Sequence, residues 1–158
     1  MSGSKSKAKF TYEWPRPMVT VDVALFSHIK NDWNVLLIAR KHDPFQHFYA
    51  LPGGFIDMDE TLEESALREL KEETGIHGVN IEQFWTYGDP GRDPRGRCVT
   101  VLFIGRIDEE HAYDQTKAGD DAESAKWFPI NKLPQLAFDH QEMLDHILSE
   151  FPFSTSVF

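Results

Sequence analysis

The sequence predicts an α/β domain in which helices pack on a mixed β-sheet. Three observations carry that reading: strand-like segments stand both before and after one central helix, a terminal helix has an apolar side, and no segment repeats. At 158 residues the chain fits one domain that can bury a core without disulfides. Residues 1–15 are expected to form a flexible N-terminal tail and 16–158 the single domain. The opening MSGSKSKAKF is basic and small, and lacks the apolar stretch of a secretory signal.

Residues 18–26 (MVTVDVALF) are rich in β-branched side chains and partly alternate, so they predict a strand. Residues 35–39 (VLLIA) predict a second, more deeply buried strand, and Asn31-Asp32-Trp33-Asn34 between them predicts a hairpin turn. An aromatic-rich loop follows, ending at Leu51-Pro52-Gly53-Gly54. A long helix then begins with Thr61 as N-cap and Glu64 completing a capping box. Gly75 is placed to end it in the left-handed conformation that a glycine accepts. Strands are predicted at 81–87, 99–107 and 124–128, and a C-terminal helix at 136–150 with Leu144, Ile147 and Leu148 on its apolar side. The terminal residues 151–158 are apolar for a tail, which predicts docking onto this domain or onto a second protomer.

Composition narrows the function. Apolar residues are 41% and charged residues 27%, the balance of a soluble globular protein, and no apolar run approaches the length of a membrane span. A net charge of −10, from 16 Lys+Arg against 26 Asp+Glu, argues against nucleic acid or anionic membrane as partner. An anionic substrate stays accessible if a divalent metal stands between it and the protein. Cys98, the one cysteine, sits in the apolar run CVTVLF and is expected to be a small core residue in a reducing, cytoplasmic setting.

The chemistry concentrates in residues 54–76, GFIDMDETLEESALRELKEETGI. At about 100° per residue, Glu69, Glu72 and Glu73 share one arc of roughly 100° on the helix. Leu62, Ala66, Leu67, Leu70 and Thr74 fill the adjoining arc, so three carboxylates line the border of the packed side. Three like charges there repel unless a cation neutralises them, and hard oxygen ligands suit Mg²⁺ or Mn²⁺. A bare pattern of this kind is ordinarily a solvated face; its surroundings set this one apart. Gly53-Gly54 lets the backbone turn and approach a ligand, and Glu60 is placed to pair with Arg68 and pin the loop to the helix.

The segment resembles the signature of the Nudix hydrolases: a glycine, five residues, Glu, seven residues, Arg-Glu, an aliphatic, any residue, Glu-Glu, any residue, Gly and an aliphatic. Gly54, Glu60, Arg68, Glu69, Leu70, Glu72, Glu73, Gly75 and Ile76 meet it without departure. Seven positions are fixed types, so a chance match is on the order of one in a billion per start point. The resemblance implies the Nudix fold, an α/β/α sandwich with a mixed sheet and a loop–helix–loop catalytic motif. It implies a metal-dependent pyrophosphohydrolase that cleaves a nucleoside diphosphate linked to another group. It also implies Glu69, Glu72 and Glu73 as ligands of Mg²⁺ (or Mn²⁺), the Gly53 carbonyl as a further ligand, and structural roles for Gly54, Glu60, Arg68 and Gly75. Glu69 and Glu73 thereby become catalytic residues. The family's general base is expected on a downstream loop, where Glu123 comes first, then Asp120 and Asp121; each could instead be a solvated acid or cap its own backbone.

The signature is silent on substrate. The stretch 88–97 (GDPGRDPRGR) and the ending Leu136-Ala137-Phe138-Asp139-His140 resemble the ADP-ribose pyrophosphatase branch, with Pro90 near a proline of that branch. ADP-ribose, cleaved to AMP and ribose 5-phosphate, is the substrate expected. Arg40, Arg92, Arg95 and Arg97 are candidate phosphate contacts, and Phe45, Phe48, Tyr49 and Phe138 candidate stacking surfaces for adenine. Surface or core roles are the alternative for each. Two other readings stand beside this one: a nucleoside triphosphate or dinucleoside polyphosphate as substrate, and a non-catalytic ADP-ribose sensor. The sensor's relatives carry a DNA-binding domain after this one; little chain follows the last predicted helix, and the charge is wrong for DNA. The resemblance also implies a possible homodimer.

Overall fold

The fold is described from a computed structural model, for residues 10–115, 125–151 and 153. In chain order its elements are β1 (Met18–Ile29), β2 (Asp32–Ala39), β3 (Tyr49–Ala50), β4 (Gly53–Phe55), α1 (Leu62–Thr74), β5 (Ile81–Tyr87), β6 (Cys98–Ile107), α2 (Glu109–Gln115), β7 (Ala125–Pro129) and α3 (His140–Glu150). The strands among the described residues form one mixed sheet. β1 runs parallel to β6, from Met18 opposite Cys98 to Ser27 opposite Ile107, and antiparallel to β2 and β4.

β1 is apolar on both faces because both are covered. Val21, Val23 and Leu25 pack on one side with Ala66 and Leu70 of α1 and Ala112 of α2. Ala24 and Phe26 point the other way, into Met143, Leu144 and Ile147 of α3. The result is the expected α/β/α sandwich. Full burial of each such large aliphatic side chain stabilises by roughly 1.5–3 kcal/mol.

Local signals set α1 closely. The Thr61 side chain accepts from the Glu64 N–H and the Glu64 carboxylate accepts from the Thr61 N–H, while Gly75 closes the helix at φ 79. The hairpin turn falls at Lys30–Asn31, with φ 50 and 70, ahead of most of the expected cluster. A two-residue turn with both residues left-handed matches strand twist, so the strands run on and Trp33 is buried inside β2. β3 and β4 are too short to show a period, and they lie in the segment expected as loop. α2 was not foreseen either. α3 begins at His140 and not at 136, because Ala137 N–H bonds to Tyr49 O and Phe138 takes φ 52. Phe153 packs 4.7 Å from Phe26 and 5.2 Å from Trp33, so this part of the C-terminal segment docks on its own domain. Cys98 is a buried free thiol. No helix among the described residues is long and apolar enough to cross a membrane.

Candidate active site

β1 pairs with β4 through Thr20–Asp22 and with β2 through Phe26–Ile29. Between the two pairings Val23 N–H bonds to Pro52 O at 2.8 Å. A cleft of about 440 Å³ opens here, lined by Gly53, Gly54, Glu69 and Glu73 and, among others, by Arg40 and Phe138.

The two glycines admit close approach. A Cβ on Gly53 would lie 2.2 Å from Val21 O and 2.5 Å from Asp22 Oδ1, and one on Gly54 would lie 2.5 Å from Glu69 Cδ. Gly54 thus leaves room for a carboxylate, and Gly53 for the paired backbone.

α1 brings the acids of the signature to this floor. Arg68 is their organiser: Nε donates to both oxygens of Glu60 at 2.9 Å, Nη1 to Glu69 Oε1 at 2.7 Å, and Nη2 to Phe55 O at 3.0 Å. Glu72 Oε2 is 3.6 Å from Nη1 and its side chain is largely exposed. Although burial of Arg68 opposes it, the bonds to Glu69 and Glu60 hold its guanidinium above the usual range. Bonding from Ser65, then Arg68, holds Glu60 below its ordinary value. Burial pushes Glu69 up against the pull of Arg68. Glu73 accepts the Gly53 N–H at 2.9 Å. Burial outweighs that bond, and with Glu69 and Asp22 adding negative charge the Glu73 carboxyl is pushed up to about 8. Among the described residues no three acid, His or Cys side chains converge on a metal position: Glu69 is drawn to Arg68 and Glu73 to the Gly53 N–H.

Basic and aromatic side chains line the same cleft. Arg40 Nε donates to Pro44 O at 2.8 Å, and its Cζ lies 4.8 Å from the Phe138 ring centre. Burial, then repulsion from Arg95, lowers the Arg40 pKa. Arg95 donates to Asp93 and keeps 41% of its side chain exposed. Despite its own burial, Asp93 is held below its usual range by those bonds. Arg92 is 5% exposed and forms a two-pronged pair with Asp139.

Of the residues expected at a site, the cleft brings together Gly53, Gly54, Arg68, Glu69, Glu73, Arg40, Arg92, Arg95 and Phe138. It does not include Glu72, Phe45, Phe48, Tyr49 or Arg97. Phe45 leans edge-on against Phe138 from behind, the Tyr49 ring packs 4.7 Å from Phe128, and Arg97 Nη1 donates to Gly88 O. Glu123, Asp120 and Asp121 lie outside the described residues. Asp22 was missed. Its Oδ2 accepts from Thr100 Oγ1 at 2.6 Å, and His140 Nε2 stands 3.7 Å from Oδ1. The available signal was a lone acid within the apolar run MVTVDVALF.

A model of the NUDIX domain matches residues 16–147. An ADP-ribose pyrophosphatase of Methanocaldococcus jannaschii is 43% identical over 122 residues, 77% of this chain and 70% of the relative. The ADPR responsive transcriptional repressor NtrR of Acinetobacter baylyi is 39% identical over 84% of this chain, which spans about half (53%) of that protein. Among solved structures, the NUDIX domain of Shewanella oneidensis NrtR complexed with ADP ribose is similar at a TM-score of 0.76 and 34% identity, covering 87% of this chain and 90% of that one.

Proposed function

This chain belongs to the Nudix family, and from that premise we propose that it hydrolyses ADP-ribose to AMP and ribose 5-phosphate with Mg²⁺ as its metal. One observation carries the reading. Glu69 and Glu73 of the acidic signature line one cleft together with Arg40, Arg95 and Phe138, in a chain 43% identical to an ADP-ribose pyrophosphatase.

The residues fit a hard divalent cation. Glu69, Glu72 and Glu73 offer carboxylate oxygens from one helix, Gly53 offers its carbonyl, and the missing Cβ of Gly54 makes room for the Glu69 carboxylate. When bound, such a metal polarises phosphoryl oxygen and lowers the pKa of a water. Glu69 can bind it through Oε2 while Oε1 keeps its bond to Arg68. Arg40 and Arg95 grip the diphosphate, offsetting its charge before and during the attack of water on phosphorus. One P–O bond forms to that water as the bridging P–O bond breaks, and the water's proton leaves through a base. We assign that base to Glu123, with Asp120 and Asp121 as alternatives. Phe138 offers its ring to the adenine or the sugar edge. Glu60, Arg68 and Gly75 shape the helix and its loop. Cys98 as a buried free thiol suits a reducing, cytoplasmic compartment.

The repressor relative and the ADP-ribose-bound neighbour favour one second reading, a sensor that binds ADP-ribose without turnover. A panel of ADP-ribose, NADH, diadenosine polyphosphates and nucleoside triphosphates with Mg²⁺, its products resolved by chromatography, separates the two. Release of AMP from ADP-ribose is expected. Turnover confined to triphosphates would sink the substrate assignment, and tight binding of ADP-ribose without turnover would establish the sensor.

A further inference from the structure

The residues that lead into α3 are committed to something other than starting a helix. Asp139 holds the N-cap position, where an aspartate ordinarily accepts a first-turn N–H in a bond worth about 1 kcal/mol. Its side chain makes no such bond. Both of its oxygens take the Arg92 guanidinium instead, Nε to Oδ2 at 2.8 Å and Nη2 to Oδ1 at 2.6 Å. The pair is withdrawn from water, with side-chain exposures of 5% and 16%. Desolvation offsets much of what a buried pair contributes to stability, so stability alone explains it poorly.

What the pair does hold is Phe138. This residue sits at φ 52, a region that strains a bulky side chain. On one side, Ala137 N–H is bonded to Tyr49 O at 2.8 Å. On the other stand Asp139, locked to Arg92, and His140, which accepts the Leu51 N–H at 3.0 Å. Held so, the Phe138 ring lies 4.8 Å from Arg40 Cζ and 5.6 Å from Arg95 Cζ, with Phe45 edge-on at 4.9 Å. Two guanidiniums beside one ring repel each other, and the negative charge on the ring's faces eases that repulsion.

We propose that the Arg92–Asp139 pair is a positioning latch: it keeps Phe138 in its left-handed conformation, and Phe138 sets Arg40 and Arg95 at the spacing that grips a diphosphate. The inference rests on reading the cleft as a diphosphate site. Arg92 is then a positioning residue, whereas Arg95, of the same chemistry and three positions on, meets the substrate.

Asp139→Asn, Arg92→Lys and Phe138→Leu test it, through steady-state kinetics and thermal melting of the full chain. Each is expected to raise KM by about tenfold or more with a much smaller change in kcat, since the grip acts on ground and transition state alike. Lysine keeps the charge of Arg92 but not its fork, so Arg92→Lys is expected to fare no better than Asp139→Asn. Asp139→Asn combined with Phe138→Leu is expected to cost no more than the worse single change, because both act on one link. A lowered melting temperature with wild-type KM would make the pair structural only and overturn the latch. Should Asp139→Asn fail to fold, Arg92→Lys decides: a raised KM supports the latch and an unchanged one overturns it. If wild-type protein ignores ADP-ribose and cleaves another nucleoside diphosphate derivative, only the substrate reading fails, and KM is compared on that compound.

Discussion

His140 accepts the backbone N–H of Leu51 at Nδ1, 3.0 Å away. That bond requires an unprotonated Nδ1, so the ring's one proton sits on Nε2, on the side of Asp22 at 3.7 Å. The imidazole is buried on the wall of the cleft and keeps Leu51, two residues before Gly53, in register.

This bond makes stability sensitive to acid. Burial lowers the His140 pKa, and Arg92 and Arg40 add to that, while Asp22 and Asp139 pull the other way without prevailing. The folded ring therefore resists a proton that the unfolded chain accepts. Its contribution is complete above the unfolded pKa of about 6.5 and is lost as pH falls below it. Melting temperature is expected to drop as pH falls below about 6.5. In His140→Asn, whose Oδ1 can still accept the Leu51 N–H, that part of the slope should vanish. An identical slope in the variant would show that other groups cause it.

Glu73→Gln separates chemistry from fold. The amide can still accept the Gly53 N–H, and it stays neutral at any pH, whereas the carboxyl ionises beside Glu69 and Asp22 above about pH 8. Melting in the absence of metal is expected to be unchanged or higher, while kcat falls by about 100-fold or more. Near-normal turnover with Mg²⁺ would remove Glu73 from the ligand set.

Metal binding is expected to show without any turnover. A ligand that binds only the folded state stabilises it by about 2.7 kcal/mol at a hundred times its dissociation constant. Titrating Mg²⁺ should thus raise the melting temperature of the wild type and leave that of Glu69→Gln/Glu73→Gln nearly still. Equal shifts in both would place the ion elsewhere.

The neighbouring glycines are expected to fail differently. In Gly53→Ala the new Cβ meets Val21 O at 2.2 Å, a backbone atom that cannot turn aside, so β1 and β4 must separate. A loss of about 1–3 kcal/mol in chemical denaturation is expected, the range for overpacking. In Gly54→Ala the Cβ meets the Glu69 carboxylate at 2.5 Å, and a side chain can move. There the melting temperature should hold and the apparent Mg²⁺ affinity should fall; the reverse pattern would contradict the assignment of the cradle.

Much of this protein was legible along the chain, because the relevant signals are local. The Thr61–Glu64 box and Gly75 bound α1 within the sequence itself, and the three-and-four spacing of Glu69, Glu72 and Glu73 put the acids on one arc. β5 needed only its own residues to be read. The short strands β3 and β4 were not legible, since two or three residues exist as strand only where β1 and β2 meet them.

The rest of the cleft was decided by tertiary structure. Thr100 reaches Asp22 across 78 positions and His140 reaches Leu51 across 89. Such partners follow from sheet register and helix docking, which no local pattern encodes. Arg92 and Arg95 show the division most simply. Their side chains are chemically identical and both lie in one loop, so sequence reasoning assigned them the same task. The fold buries one against Asp139 at the head of α3 and leaves the other partly open at the cleft. An arginine's chemistry belongs to its residue type, but whether its charge is used inside the protein or offered to a ligand depends on which carboxylate the packing brings beside it.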